Sequence, residues 1–295
     1  MTVARLVSLG NVVIDLVMRI DALPEHGSDV IADSASITPG GAFNTLVAAA
    51  RQGLPTVYAG AHGTGPFGDL ARQALGREGI GVALSPVPDR DTGFDVALVD
   101  ATAERTFVTS VGAEGQLAFG SFAFRPDDAI HISGYGLLHP VNREAILSLA
   151  LPGTVFYDPG PLGPDTGDLA IDWWSGNARE ATLATGIDDA LEAAAVLATR
   201  VRRGAIVRLG AGGCILADPM PQIIPGFAVE AVDLNGAGDA HVGGFIAALA
   251  TGLSPADAAR RANAVAAIAV TRHGPADSPT AAETDAFLAS AGLAS

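Results

Sequence analysis

The sequence contains no lysine: all 17 basic residues among its 295 are arginine. Several enzyme classes depend on an ε-amine at a fixed place, among them P-loop nucleotide hydrolases, protein kinases and pyridoxal-phosphate enzymes. The absence of lysine therefore excludes these classes.

Cysteine and long apolar runs are also scarce. Cys214 is the single cysteine, and the six histidines lack the close Cys/His spacings of a zinc site, so an internal disulfide and a structural metal are excluded. No stretch approaches the roughly 18 apolar residues of a membrane helix, and Arg5 and Asp15 interrupt the N-terminal run that a secretory signal needs. We predict a soluble cytoplasmic protein with no membrane partner.

Acidic residues outnumber basic ones by 32 to 17, which gives a formal net charge of −15. Duplex nucleic acid is excluded as a partner, because neutralising its phosphates requires a basic face. With 49% hydrophobic residues the chain is too apolar to be disordered. No repeat, low-complexity tract or linker divides it, so we predict a single domain over residues 1–295.

Short β-rich segments alternate with longer segments of helical periodicity. This alternation predicts an α/β fold with a mostly parallel central sheet and helices on both faces. The predicted strands are Arg5–Gly10, Thr56–Ala61, Ala129–Ile132, Thr154–Tyr157, Ala205–Leu209 and Gly213–Ala217. The predicted helices are Asn44–Gln52, Leu70–Arg77, Asn142–Ala150, Asp188–Arg200, Ala240–Ala250 and Ser254–Arg272.

Four further β-rich segments have no helix between them: Val12–Ile20, Val30–Ile37, Thr92–Val99 and Thr106–Val111. Such segments favour a small antiparallel sheet beside the main one. We predict that they form a lid at approximately residues 12–37 and 92–111.

The most informative segment, Asp233 to Asp239, has the sequence Asp-Leu-Asn-Gly-Ala-Gly-Asp and precedes a predicted helix. Glycines before a helix allow a ligand to approach the backbone, and the free N–H groups of the first turn bind anions. An acidic residue at this place commonly serves only as a helix cap. A cap alone does not require three small residues before it, so we predict a functional anion site here.

A second glycine-rich segment, Gly63-Thr-Gly-Pro-Phe-Gly68, fits the dinucleotide-binding pattern and has Asp89 about 20 residues later. Pro66 removes an amide where a pyrophosphate would need one, and the pattern does not follow the first strand. A nicotinamide-dependent oxidoreductase is therefore a minor alternative.

Ordered motifs along nearly the whole chain resemble those of the ribokinase-like, or PfkB, sugar kinases. They are Gly10-Asn-Val-Val-Ile-Asp15 with Asp21-Ala-Leu-Pro24, Gly40-Gly-Ala-Phe-Asn44 with Ala48–Gly53, Asn177-Ala-Arg-Glu180 with Thr185-Gly186, Asp233–Asp239, and Ala262–Gly274. The resemblance implies a ribokinase-like fold and an ATP-dependent transfer of the γ-phosphoryl group to a hydroxyl group of a small carbohydrate.

The resemblance also implies roles for individual residues and for cofactors. Asp239 is the implied general base, and the backbone of Gly236, Ala237 and Gly238 is the implied anion hole. The remaining implied contacts are Asp15, Gly41 and Asn44 to the acceptor, Arg208, Gly210, Gly213 and Asn263 to the nucleotide, and Asn177 and Glu180 to Mg²⁺ and its waters. Dependence on a monovalent cation and a homodimer formed through the lid stay open.

Several departures from the family pattern leave the acceptor open. The pair Gly40-Gly41 lies one residue closer to Asn44 than is usual, which leaves Phe43 at a position without an assigned role. Arg208 replaces a common threonine and either binds phosphate or lies on the surface. A nucleoside kinase, with Phe43 and Phe94 stacking on a base, and a non-catalytic ligand-binding protein are the alternatives. Since only Arg19 and Arg105 could reach an acceptor phosphate, we expect an unphosphorylated acceptor.

Overall fold

The computed structural model describes residues 3–102, 104–120, 122–163 and 165–292. The strands in these residues are β1 (Arg5–Ser8), β2 (Val12–Arg19), β3 (Ser34–Gly41), β4 (Thr56–Tyr58), β5 (Gly81–Val82), β6 (Phe94–Val99), β7 (Arg105–Ser110), β8 (Asp128–Ser133), β9 (Thr154–Asp158), β10 (Trp173–Asn177), β11 (Gly204–Arg208), β12 (Cys214–Ala217) and β13 (Pro221–Ile224). The helices are α1 (Ala42–Arg51), α2 (Pro66–Arg77), α3 (Gly134–Leu137), α4 (Pro140–Leu147), α5 (Ala178–Thr185), α6 (Ala190–Arg200), α7 (Ala237–Ala250), α8 (Pro255–Ala269) and α9 (Ala281–Ser290).

The main sheet has the strand order β13-β12-β11-β10-β9-β8-β1-β4-β5. Its strands pair in parallel from β11 to β5, and β12 and β13 add an antiparallel edge. Leu6 and Ile206 face a core formed with α1, α2, α7 and α8, whereas Val7 and Val207 face one formed with α3 to α6. Helices thus cover both faces of a mostly parallel sheet, which confirms the predicted fold class.

A second sheet, the lid, has the order β3-β2-β6-β7. β3 begins at Ser34, so the prediction of a strand at residues 30–37 is wrong at its start. Ile31 is 93% exposed, and the strand instead extends into the glycine pair, with Gly40 opposite Val13. Glycine fits there because a Cβ at position 40 would lie 2.2 Å from Oδ2 of Asp15. The close approach of Asp15 therefore requires a glycine at position 40 of this strand.

β10 was not expected, because its sequence Trp-Trp-Ser-Gly-Asn lacks β-branched residues. It forms between β9 and β11, where Trp173 and Trp174 are buried in the two cores. Tertiary burial thus overrides local propensity. No helix in the described part of the chain combines the length and the apolarity that a membrane crossing requires.

Candidate active site

Three neighbouring parallel strands end at the same edge of the main sheet. Asp158 is the last residue of β9, Asn177 that of β10 and Arg208 that of β11. Asn177 and Arg208 are register partners, so their strand ends are level. Ligands of open α/β sheets bind at the carboxyl ends of the strands, and this edge is where the polar side chains gather.

Arg208 is buried at this edge and holds several acidic and polar groups together. Its Nη1 donates to Oγ of Ser175 at 3.0 Å and lies 3.4 Å from Oδ2 of Asp158. Its Nη2 lies 3.4 Å from Oε2 of Glu180, and the side chain is 12% exposed. A Cβ at Gly238 would lie 3.3 Å from Nη2. The guanidinium group therefore packs against the first turn of α7, and the surface alternative for Arg208 is wrong.

The first turn of α7 has the features of an anion site. Gly236 is the N-cap, its φ of 74° is left-handed, and no side chain caps the helix. A Cβ at Gly236 would lie 2.2 Å from the carbonyl oxygen of Pro275, so only glycine fits. With no side-chain cap, the first-turn N–H groups can bind an anion at the positive end of the helix dipole.

Asp239 is the third residue of α7, so it is not the helix cap. Its Oδ1 accepts a hydrogen bond from Oγ1 of Thr45 at 2.8 Å, and its Oδ2 accepts one from Nδ2 of Asn44 at 3.4 Å. Burial raises the pKa of Asp239 to about 6, and the charge of Asp158 adds to this effect. A carboxylate whose pKa lies near neutrality is suited to accept a proton from a hydroxyl group.

Asp15, Gly41 and Asn44 lie on the lid side of Asp239. Asp15 is 8% exposed, and burial together with the charges of Asp95 and Asp239 raises its pKa to about 7. Gly41 is the N-cap of α1 with a φ of 64°, and a Cβ there would lie 2.4 Å from the carbonyl oxygen of Asn11. The structure therefore brings the three sequence-predicted acceptor residues to one place beside Asp239.

Asn177 and Glu180 form the N-terminal capping box of α5. Oδ1 of Asn177 accepts from the backbone N of Glu180 at 2.9 Å, and Oε2 of Glu180 accepts from the backbone N of Asn177 at 2.7 Å. Burial, with the charge of Asp158, raises the pKa of Glu180. Both residues line a cleft of about 570 Å³. The capping role and a role towards a ligand in the cleft are compatible.

The carboxylates at this edge of the sheet suit Mg²⁺ only in part. In residues 3–102, 104–120, 122–163 and 165–292, no three His, Cys, Asp or Glu side chains are grouped closely enough to hold a metal ion. Mg²⁺ commonly binds through one or two carboxylates, water and substrate phosphates rather than a full protein cage. Asp158 and Glu180, both within 3.4 Å of the Arg208 guanidinium group, fit that smaller donor set.

The expected nucleotide side has mixed support. Gly210 begins a 3-10 turn after β11, and Gly213, with a φ of 90°, follows it. Asn263 is 5% exposed, and its side chain bonds to His241 and to the carbonyl oxygens of Ile224 and Pro225. These bonds engage both ends of the amide and give Asn263 a structural role, and its contact with the nucleotide stays a prediction.

The two aromatic residues considered for base stacking are used for packing. Phe43 is 5% exposed and belongs to the main core. Phe94 packs on Phe67, with the ring centroids 5.4 Å apart. Phe43 therefore offers no free face to a base, which weakens the case for a nucleoside, whereas Phe94 is only partly buried.

The second glycine-rich segment is explained by contacts within the chain. Asp91 accepts hydrogen bonds from the backbone N of Phe67 at 3.1 Å and of Gly68 at 2.8 Å, so its carboxylate occupies the start of α2. A Cβ at Gly63 would lie 2.2 Å from the carbonyl oxygen of Arg90. These contacts leave no place for a pyrophosphate, and the oxidoreductase alternative is wrong.

Several site residues had not been identified from the sequence. Asp158 and Thr45 contact predicted site groups directly, and strand position could have indicated Asp158, since it follows a predicted strand and precedes Pro159 and Gly160. Asn11 and Asp95 each hold a buried oxygen with no hydrogen-bond partner. Their place beside the acceptor residues depends on the register of the lid, which no local pattern shows.

Comparison with known proteins agrees with this arrangement. The sequence profile of the pfkB family carbohydrate kinases matches residues 3–282. The chain is 31% identical to an uncharacterized sugar kinase, YegV, of Escherichia coli (strain K12), over 93% of this chain and 91% of that protein. It is 32% identical to an ATP-dependent ribose-1-phosphate kinase of Halopiger xanaduensis, over 96% of this chain and 98% of that protein.

A solved structure gives the same picture of the fold. The ribokinase of Arabidopsis thaliana, complexed with ribose and ATP, superposes with a TM-score of 0.82. The match covers 97% of this chain and 99% of that one at 23% sequence identity. The likeness therefore extends through the main sheet and the lid alike.

Proposed function

The chain belongs to the pfkB family of carbohydrate kinases, and from that premise we propose that it transfers the γ-phosphoryl group of ATP to a hydroxyl group of a small, uncharged carbohydrate. The observation that carries this proposal is the position of Asp239. Its carboxylate bonds to Thr45 and Asn44 on the acceptor side, while its own backbone belongs to the first turn of α7. One residue thus joins the acceptor side to the anion site.

The proposed reaction begins with the acceptor hydroxyl beside Asp239. The carboxylate accepts the hydroxyl proton as the oxygen forms its bond to the γ-phosphorus, and the bond from that phosphorus to the bridging oxygen breaks to release ADP. Phosphoryl transfer depends chiefly on positioning and on stabilisation of the charge of the transferred group. The backbone of Gly236, Ala237 and Gly238 supplies the N–H groups for that charge.

Arg208 is the cation that we place beside the transferred phosphates. Its partly buried guanidinium group lies next to Gly238, in the first turn of α7. Arginine binds phosphate in a bidentate manner. In the free protein it pairs with Asp158 and Glu180 instead, so its bonds must rearrange when the nucleotide binds.

Glu180 and Asp158 are the residues that we propose for Mg²⁺, with Asn177 positioning Glu180 through the capping box. When bound, Mg²⁺ would neutralise phosphate charge. Gly210 and Gly213 are proposed to let the nucleotide approach the backbone after β11. A monovalent cation as activator and a cytoplasmic location remain predictions from the sequence.

The electrostatics of the acceptor side favour an uncharged acceptor. The family includes relatives named as ribokinase and as ribose-1-phosphate kinase, whose acceptors differ by one phosphate group. Arg105, one of the two arginines considered for an acceptor phosphate, forms an ion pair with Asp233. Arg19 lies on the exposed end of β2. Uncharged pentoses and hexoses are therefore the acceptors to test first.

The outer face of the lid supports the proposal of a homodimer formed through it. Ile37, Leu16, Val96 and Val108 are consecutive register partners across its four strands. Ile37 is 57% exposed and Val108 63% exposed. Leu16 and Val96 between them are partly buried, and exposed apolar side chains such as Ile37 and Val108 on one sheet are typical of an interface. Light scattering of the wild type and of Val108→Glu tests it: a dimer that the substitution dissociates supports the proposal, and a monomeric wild type contradicts it.

The function itself is tested by following ADP release with ATP and Mg²⁺ over a panel of pentoses, hexoses, their monophosphates and nucleosides. We expect acceptor-dependent ADP release with at least one uncharged sugar and a sugar phosphate as the second product. Binding of sugar and ATP without any turnover would instead support a non-catalytic protein. A nucleoside as the best acceptor would overturn the choice of a carbohydrate.

A further inference from the structure

We propose that Asp95 is a second acceptor-binding carboxylate, and that Asp15 and Asp95 together select an uncharged polyhydroxylated acceptor against one carrying a phosphate or carboxylate group. This inference rests on the proposed kinase function and specifies the acceptor class of the same site. Asp95 lies on β6 of the lid, outside every motif of the sequence.

The register of the lid places these two carboxylates side by side. Asp15 on β2 is the register partner of Asp95 on β6 and of Thr38 on β3. Register partners on neighbouring strands project from the same face of a sheet. Burial, and after it the charges of Asp95 and Asp239, raise the pKa of Asp15, which agrees with this face of the lid lying on the side of Asp239.

Buried oxygen atoms of this lid face and of the neighbouring helix α1 lack hydrogen-bond partners within the chain. They are Oδ1 of Asp95, Oγ1 of Thr38 and Oδ1 of Asn44. Asn44 is 5% exposed, and its amide nitrogen donates to Asp239. Buried polar atoms without partners are rare and costly, so they indicate groups that a ligand completes. The Asn44 oxygen therefore points to a ligand independently of the two acids.

The chemistry of these atoms defines the ligand that fits them. Carboxylate and amide oxygens accept hydrogen bonds, and hydroxyl groups of a sugar donate them. A phosphate or carboxylate group of an acceptor has no such hydrogen to offer and brings a like charge. Arg105, which could compensate that charge, is paired with Asp233, and Arg19 lies on the exposed end of β2. Discrimination therefore comes from repulsion as well as from hydrogen bonding.

The test compares wild type with Asp95→Asn over the panel of uncharged sugars and their monophosphates. We measure kcat/KM from ADP release and, separately, the binding of each sugar by calorimetry without nucleotide. The substitution should lower kcat/KM for the best uncharged sugar by about 10- to 100-fold, the range for losing a hydrogen bond to a charged group. It should leave kcat/KM for the monophosphates unchanged or raise it. Asp33→Asn, an exposed acid just before β3, is the charge-matched control and should change neither.

Each outcome decides the proposal. The proposal is overturned if Asp95→Asn leaves the ratio of kcat/KM for uncharged sugars to kcat/KM for their monophosphates unchanged. It is also overturned if the wild type prefers a monophosphate or an amino sugar. If Asp95→Asn does not fold, Asp95→Ser serves for the same comparison. If the wild type turns over no acceptor, the proposed kinase function fails. The role of Asp95 is then decided by calorimetry: weaker binding of the sugars to Asp95→Asn supports it, and unchanged binding refutes it.

Discussion

Arg105 of the lid forms an ion pair with Asp233, in the loop that leads into α7. Asp233 is 11% exposed on its side chain, and its Oδ1 also accepts from the backbone N of Asn235 at 2.9 Å. The same carboxylate thus holds the loop before Gly236 and the outer strand of the lid. This pair connects the lid with the first turn of α7, the two parts to which we assign the acceptor and the transferred phosphoryl group.

Arg105→Ala should weaken this connection. A partly buried ion pair contributes on the order of 1 kcal/mol, so we expect kcat/KM for the acceptor to fall about fivefold. The difference in kcat/KM between wild type and variant should be smaller at high salt, because salt screens the ion pair in the wild type. Arg260→Ala, which removes an exposed ion pair with Asp257, is the control. Equal values of kcat/KM for the two variants would show that the ion pair of Arg105 with Asp233 does not affect the use of the acceptor.

Asp239→Asn separates a general base from a structural carboxylate. Loss of the base should lower kcat by about 10²- to 10⁴-fold while sugar and nucleotide still bind by calorimetry. Asp257→Asn is a matched control, since Asp257 is also the third residue of its helix, α8, but is exposed. Turnover of Asp239→Asn within about threefold of the wild type, well inside the general-base range, would refute the mechanism.

The pH dependence of the reaction should report the ionisation of Asp239. Only the ionised carboxylate accepts a proton, and its pKa is raised to about 6. We therefore expect kcat/KM to be constant above about pH 7 and to fall about tenfold per pH unit well below pH 6. The residual activity of Asp239→Asn should lack this acidic limb. A limb that persists in the variant would assign the ionisation to another group.

The ionisation of Asp239 that the reaction requires should lower the stability of the folded protein. Because the pKa of Asp239 is higher in the folded protein than in the unfolded chain, its contribution to stability is present below the unfolded pKa of 3.8 and is lost as pH rises through about 6. Asp239→Asn should consequently have a higher Tm than the wild type at pH 7.5. The two Tm values should converge near pH 3.5. A lower Tm of the variant at pH 7.5 would contradict the burial of this charge.

Glu180→Gln tests the proposed metal contact without removing the capping box, because glutamine can replace glutamate there. The Mg²⁺ concentration for half-maximal rate should rise, while the affinity for the acceptor stays nearly unchanged. Glu283→Gln is a close control, since Glu283 has the same place in the exposed capping box of α9. An unaltered Mg²⁺ dependence of Glu180→Gln would remove Glu180 from the metal site.

The sequence was sufficient where function depends on neighbours along the chain. The Gly236–Gly238 run and Asp239 form one helix start, and such a start needs glycine at its left-handed position whatever the rest of the fold does. The strands that alternate with helices likewise predicted the parallel sheet. Asn177 and Glu180, paired by their motif, likewise meet at one helix start, although β10 before it was missed.

Elsewhere the sequence failed because packing, not pattern, decided the outcome. Phe43 and Asn263 matched expected contacts with ligands, yet one belongs to the core and the other bonds within the chain. Gly63 and Gly68 matched a dinucleotide pattern, but their lack of side chains serves contacts with the chain itself. A residue type permits several roles, and the neighbours it meets select one of them.

The sequence by itself determined the family motifs, the glycine-rich helix start and the identity of its acidic residue, because each depends on a few consecutive residues. Only the tertiary structure decided which distant groups meet that residue: Thr45 reaches Asp239 across 194 positions of the chain. Arg208 became a buried partner of two acids, and Asp95 a neighbour of Asp15, through the register of paired strands. Register is set by the burial of whole strand faces, and for that reason no local pattern contains it.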